Sequence, residues 1–189
     1  MSSAAEDLPK ANRGRAAGPA NRRALIAAAR EVFAEHGLAA PLNAVARRAG
    51  VGQGSLYRHF PDRTALAAAV FEENLDDLER FAEPADRTLD DLLDRVVAQA
   101  MVSTAFIELT TTHRDDTRVM HLGERYRGVV ERLLEREKSA GYVASHIEPE
   151  DVMLATGMLA TELARCSPTQ RTDVAARARA LFRAAFVPR

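Results

Sequence analysis

Residues 45–60 run Val45-Ala46-Arg47-Arg48-Ala49-Gly50-Val51-Gly52-Gln53-Gly54-Ser55-Leu56-Tyr57-Arg58-His59-Phe60, and how this stretch folds decides the architecture. The pattern predicts a short helix from about Leu42 to Ala49, a stop at Gly50, and a still shorter helix from about Gln53 to Phe60 that ends before Pro61. Small Ala46 lets the two helices approach, and Gly50 supplies the positive φ that a tight turn demands. Val45, Val51, Leu56 and Phe60 fall on one side and form the apolar face of a helix-turn-helix. Gln53, Ser55, Tyr57, Arg58 and His59 are left on the exposed side of the second helix. A major groove admits one helix, and side chains of these kinds reach base edges and phosphates there.

Outward from this stretch the chain is helical throughout. Toward the N-terminus, Leu25, Ala28, Ala29, Val32 and Phe33 repeat at three- and four-residue spacing, which predicts a helix from about Asn21 to His36 with Gly37 as its stop. Toward the C-terminus, Asp62 caps a long helix from Arg63 to about Phe81, broken at Glu83-Pro84. Further helices are expected at about Thr88–Thr111, Thr117–Ala140, Glu150–Arg165 and Pro168–Phe186. No segment alternates apolar and polar residues in the manner of a strand. The expected fold is all-α with about nine helices. Residues 1–20 are expected to form a disordered basic tail, and residues 21–66 a three-helix helix-turn-helix domain. The helix over residues 63–81 links this to a C-terminal helical domain, residues 82–189, for effector binding and dimerisation.

Bulk properties narrow the class. Among 189 residues, 47% are hydrophobic and 28% charged, the balance of a globular chain with a core. No apolar run is long enough to span a membrane, and the N-terminus lacks the apolar segment of a secretory signal. The single cysteine, Cys166, excludes an intrachain disulfide framework and points to a cytoplasmic location. Net charge is −1, but its distribution is uneven. Up to Phe60 there are nine basic side chains and four acidic ones, so this segment carries +5 and the remainder −6. A basic third on an acidic body is a footprint for a polyanion. A phosphate-cradling loop at Gly50-Val51-Gly52-Gln53-Gly54 is excluded, because such a loop follows a strand and this one follows a helix. No nucleophile elbow, paired-His zinc motif, P-loop or catalytic dyad is present, so an enzyme is not expected.

The run from Leu25 to Leu66 resembles the DNA-binding domain of the TetR family. The resemblance lies in Ala28-Ala29-Arg30-Glu31-Val32-Phe33-Ala34-Glu35-His36-Gly37, in Val45 through Val51, and in Gly54-Ser55-Leu56-Tyr57-Arg58-His59-Phe60. It implies that Gln53, Gly54, Ser55, Tyr57 and His59 lie on a recognition helix, with Tyr57 and His59 contacting the operator and His59 mostly at phosphate. It also implies that Asn43 reads a base and that Arg63 meets a backbone phosphate. Two positions depart from the family pattern: Pro41 and Gly52 stand where Ser or Thr caps are common, so cap-to-phosphate hydrogen bonds there are lost. The implied partner is double-stranded operator DNA with an inverted repeat, bound by a homodimer and released by a small-molecule effector. No cofactor or metal is expected.

For the C-terminal domain the expectations are coarser. Met101, Thr104, Phe106, Tyr126, Met158 and Glu162 are the candidate effector-binding residues, each weighed against an ordinary core or surface role. The homodimer is expected to form through the last two helices. Ala155, Gly157, Ala160, Ala164, Ala176, Ala180 and Ala184 permit close packing, while Leu154, Met158, Leu181 and Phe182 supply apolar contact. An alternative reading is a metal- or redox-responsive regulator using the cluster from His113 to Glu124 or Cys166. Its spacing matches no established ligand pattern.

Overall fold

The computed structural model describes residues 17–102, 104–167 and 169–188, with Met101 and Val102 described in backbone only. The expected N-terminal tail lies outside the described residues as far as residue 16. Among the described residues there are nine helices and no strand. They are α1 Gly18–His36, α2 Leu42–Arg48, α3 Gln53–His59, α4 Arg63–Ala82, α5 Leu89–Val102, α6 Ala105–Thr112, α7 Thr117–Ser139, α8 Pro149–Arg165 and α9 Arg171–Phe186.

Helix ends follow local chemistry. α1 begins three residues before the expected Asn21, because Pro19 sits in its first turn, where a missing N–H costs nothing. α4 starts at the expected residue, with the Asp62 carboxylate accepting from the Ala65 N–H at 2.6 Å. Its far end is capped from outside: the Arg136 guanidinium donates to the Pro84 carbonyl at 2.6 Å and to the Ala82 carbonyl at 3.2 Å.

The expected single helix over 88–111 is two. α5 ends at Val102 and α6 starts at Ala105, and the two helices feed different cores. Leu89 and Leu92 pack with Val129, Val130, Leu133 and Val152, whereas Leu93 and Ala100 pack with Leu159, Leu163 and Ala175. Ala105 and Leu109 instead join Leu25, Phe33, Leu56, Leu66, Phe71 and Leu122. One straight helix has a single apolar stripe and cannot serve these directions together, so the chain changes direction between α5 and α6.

The first core therefore runs from α1 through α2, α3 and α4 into α6 and α7. Ion pairs follow the same route. Arg30 of α1 meets Glu73 of α4 at 2.8 Å, and Arg125 of α7 meets Asp76 and Glu79 of α4, each at 2.7 Å. The Arg125 guanidinium holds the Glu79 carboxyl below the usual carboxylate range. On the opposite side, Arg179 and Arg183 of α9 both reach Asp90 of α5.

Two residues expected on the free faces of α8 and α9 point inward. Ala155 is buried, and Phe182 packs on the α5–α8–α9 core, stacked with Phe186 at a centroid distance of 6.2 Å. Leu154, Met158 and Leu181 are exposed, at 64%, 55% and 69% of their surface, so the apolar exposed face is narrower than expected and centred on these three. No helix among the described residues is long and apolar enough to cross a membrane.

Leu122, fully buried on α7, links the C-terminal helices to the N-terminal core. Leu122→Ala should destabilise the chain by about 2–5 kcal/mol in urea unfolding, since both transfer and cavity terms are lost. A loss under about 1 kcal/mol would show that the two parts do not share one core.

Candidate nucleic-acid interface

α2 and α3 are joined by a turn whose hydrogen bonds are all local. The Val51 N–H donates to the Ala46 carbonyl at 3.0 Å and the Gly50 N–H to the Arg47 carbonyl at 3.2 Å, with Gly50 at φ 65°. This is a Schellman closure, and its left-handed residue strongly favours glycine. The N-caps Pro41 and Gly52 make no side-chain cap bond, as their chemistry requires. The Gly52 carbonyl accepts from the Ser55 and Leu56 N–H groups at 2.9 and 3.1 Å, starting α3 by backbone alone.

Burial of Val45, Ala46, Leu56 and Phe60 turns the other sides of α2 and α3 outward. Asn43, Gln53, Gly54, Tyr57 and Arg58 are exposed, Tyr57 by 53%. A tyrosine so exposed on a short helix has an apolar ring and a hydroxyl free for an external partner. Ser55 and His59 are half-buried. The Ser55 hydroxyl accepts from Arg58 Nη2 at 3.0 Å, and His59 turns toward α1: its Nε2 is buried without a partner and its Cε1 lies near Gly18.

The basic residues divide into two groups. Arg48 is held by Glu35 through two hydrogen bonds of 2.7 and 2.8 Å, with Glu31 at 3.6 Å, and this pairing keeps the Glu35 carboxyl below its ordinary range. Arg63, expected at phosphate, donates Nη1 to the Leu38 carbonyl at 2.6 Å and so clamps the α1–α2 turn. Arg22 lies over the Phe60 ring at 5.3 Å. Arg47 and Arg58 remain exposed beside α3.

Residues 25–70, which contain this unit, match the family model described as bacterial regulatory proteins of the tetR family. Across nearly the whole fold, the chain is similar to a TetR transcriptional regulator from Streptomyces coelicolor, with a TM-score of 0.64 and 26% identity over 88% of this chain and 98% of that one. The chain resembles the TetR regulators in its helix-turn-helix and in its fold. Among its relatives, the transcriptional activator FasR of Mycolicibacterium smegmatis is 38% identical over 88 residues, 46% of this chain and 40% of FasR. The repressor KstR2 of Rhodococcus jostii is 29% identical over 112 residues, 56% of this chain and 54% of KstR2. The repressor LfrR of M. smegmatis is 41% identical over 80 residues. The chain spans about half the length of these curated relatives, or less. All three are transcriptional regulators.

In this fold the candidate effector residues whose side chains are described fall at several places. The Thr104 hydroxyl donates to Glu108 at 2.8 Å, and Phe106 packs on Phe71 with centroids 4.8 Å apart. Tyr126 lies between the first and second cores. Burial pushes its hydroxyl up to about 12; Thr156 lies close enough to lower it slightly but forms no well-shaped bond, so the phenol oxygen has no full partner. Met158 and Glu162 stand on the outer side of α8, in an open groove with Met153, Leu154, Gly157 and Thr161. The Met101 side chain lies outside the described residues.

The alternative cluster is also dispersed. Asp116 caps α7 and binds Arg118, while His121 pairs with Glu124 at 3.8 Å. Among the described residues no three His, Cys, Asp or Glu side chains gather as a ligand set. Cys166 is half-buried, 3.8 Å from Glu162.

The organising contacts of Glu108 and Arg118 were not legible in the sequence, because one partner of each, Leu38 and Asp62, lies far away along the chain. Arg118 of α7 bridges Asp116 and Asp62, the latter at 3.2 Å, and so ties the α3–α4 junction to the C-terminal helices. Its guanidinium lowers the Asp116 carboxyl from 3.8 to about 2. A depressed native value means the stabilisation is complete above pH 3.8 and fades as pH falls toward 2. NMR titration of the Asp116 carboxyl carbon should give a midpoint near 2. A midpoint near 3.8 would mean the pair is absent in solution.

Proposed function

We propose that this chain is a DNA-binding transcriptional repressor that acts as a homodimer on an inverted-repeat operator and releases it when a small molecule binds its C-terminal domain. The observation that carries the reading is the outward side of α3: Gln53, Gly54, Tyr57 and Arg58 exposed on a helix held by a buried apolar face. Asn43 and Ser55 flank it, and Arg47 adds charge. Tyr57 is the base-contacting residue, and Arg47 and Arg58 contact phosphate. His59 and Arg63 act from behind, packing α3 and the α1–α2 turn rather than reaching far into the groove. Repression is favoured over activation because KstR2 and LfrR are named repressors, although FasR is an activator.

Selection from a random DNA library should return an inverted repeat, with affinity falling steeply as salt rises through counterion release. Tyr57→Ala should cost roughly 1–3 kcal/mol of specific binding, while Arg47→Ala should weaken all sequences and flatten the salt dependence by about one phosphate contact. Recovery of no preferred sequence would remove this reading.

One recognition helix covers too little surface for tight specific binding, and a palindrome needs a two-fold protein. The second copy docks on the exposed strip of Leu154, Gly157 and Met158 on α8 with Ala180, Leu181 and Ala184 on α9, giving a four-helix bundle. Met158→Arg, at an exposed site in the lone chain, should leave helicity intact and yield a monomer by light scattering. A dimer that survives both this change and Leu181→Arg would place the interface elsewhere.

The effector is a largely apolar molecule with a hydrogen-bond acceptor. What supports this is the buried Tyr126 hydroxyl, since a buried donor without a full partner is uncommon and costs stability until it finds one. A thermal-shift screen, with hits retested for operator release, tests it: ligands should stabilise the wild type and do so less in Tyr126→Phe.

A further inference from the structure

We propose that Glu108 is the positioning residue through which the C-terminal helices set the placement of the recognition unit, by latching the α1–α2 turn. The inference rests on the DNA-binding reading for its consequence and on separate geometry for its mechanism.

The turn between α1 and α2 is held by both peptide groups of Leu38. Its N–H donates to Glu108 Oε2 at 2.8 Å, across seventy residues of sequence, and its carbonyl accepts from Arg63 Nη1 at 2.6 Å. One clamp thus comes from α6 and the other from α4. Leu38 and Ala40 bury their side chains in the same core as Val45 and Leu56, so this turn sets where α2 and α3 lie. The fit is close. Gly37 has φ 71°, and a Cβ built there would lie 3.2 and 3.3 Å from the two Glu108 oxygens. Any other residue at this position would be strained in backbone and would crowd the carboxylate.

The second Glu108 oxygen accepts from the Thr104 hydroxyl at 2.8 Å, at the point where the chain re-aims between α5 and α6. The carboxylate is therefore fixed in orientation from one side and holds the turn on the other. α6 also packs on two cores. Ala105, Phe106 and Leu109 pack in the N-terminal core, while Ile107 packs on the α5–α8–α9 core behind the proposed dimer face. A shift or rotation of α6 by a fraction of its pitch would withdraw the carboxylate, because a hydrogen bond weakens steeply with distance and angle. The buried Leu38 N–H then loses its acceptor, and the turn loses one of its two clamps.

Four variants test this: Glu108→Ala, Glu108→Gln, Glu108→Asp and Thr104→Val. Two readouts are taken: hydrogen exchange at the Leu38 amide, and affinity for the operator recovered by library selection with the wild-type chain. Glu108→Ala should abolish protection at Leu38 and weaken operator binding roughly 2- to 30-fold, the range for residues that couple distant sites. Glu108→Gln keeps an acceptor of the same reach and should restore both. Glu108→Asp keeps the charge but falls one carbon–carbon bond short, so it should resemble Ala. Thr104→Val should move both readouts in the same direction by less, and it serves where Glu108→Ala fails to fold. A role in general helix stability or net charge would not order the variants in this way. If Leu38 protection and operator affinity are unchanged in Glu108→Ala, or if Asp rescues and Gln does not, the latch is overturned. If the wild-type chain selects no DNA, the DNA-binding reading fails, and the exchange readout alone decides whether the latch exists.

Discussion

The apolar side of α4 is the constraint on which the other elements depend. Leu66, Ala67, Val70, Phe71 and Leu75 bury against α1 on one flank and against α6 and α7 on the other, so a single helix belongs to both parts of the chain. Four alanine or valine side chains among residues 67–70 keep that helix slim enough to be covered on both flanks. At roughly 25 cal/mol per Å² of apolar area removed from water, burying such a helix on both sides exceeds what the exposed ion pairs along it contribute. The recognition unit is thereby fixed to a long lever. Tilting α4 changes where α3 lies, and a ligand acts only insofar as it prefers one tilt over another.

Charge is then distributed by exclusion. Arg30, Arg48, Arg63, Arg118, Arg125 and Arg136 are each engaged with a carboxylate or a carbonyl of the fold itself. Arginine suits these positions because its planar fork satisfies two acceptors at once. What remains outward beside α3 is Arg47, Arg58 and the Tyr57 ring. The +5 excess of the first sixty residues overstates the positive surface beside α3, since Arg30 is paired with Glu73, an acid outside that segment.

The helix-turn-helix was legible in the sequence because its determinants are local: a glycine at the left-handed position, two short periodic runs, and an aspartate cap. The same locality explains the close match for α4 and α7. The division into α5 and α6 was not legible, because Leu93, Ala100, Ala105 and Leu109 form an acceptable continuous stripe until their three-dimensional partners are known. Nor were the inward turns of Phe182, Ala155 and His59, which are decided by neighbours on other helices. The Arg63 contact with the Leu38 carbonyl was not legible either, since its partner lies twenty-five residues away and is a backbone group. In sequence, an apolar side chain that packs a core and one that lines a pocket look alike, so burial partners such as those of Phe106 and Tyr126 emerge only from the fold.

The central claim is that two copies of α3 enter successive major grooves on one face of a duplex. Hydroxyl-radical footprinting of the protein on its selected operator tests this most directly. The account predicts two protected segments related by a dyad, their centres about one helical turn, roughly 10–10.5 base pairs, or a multiple of it apart. A single protected segment, or protection spread evenly around the duplex without a dyad, would contradict it.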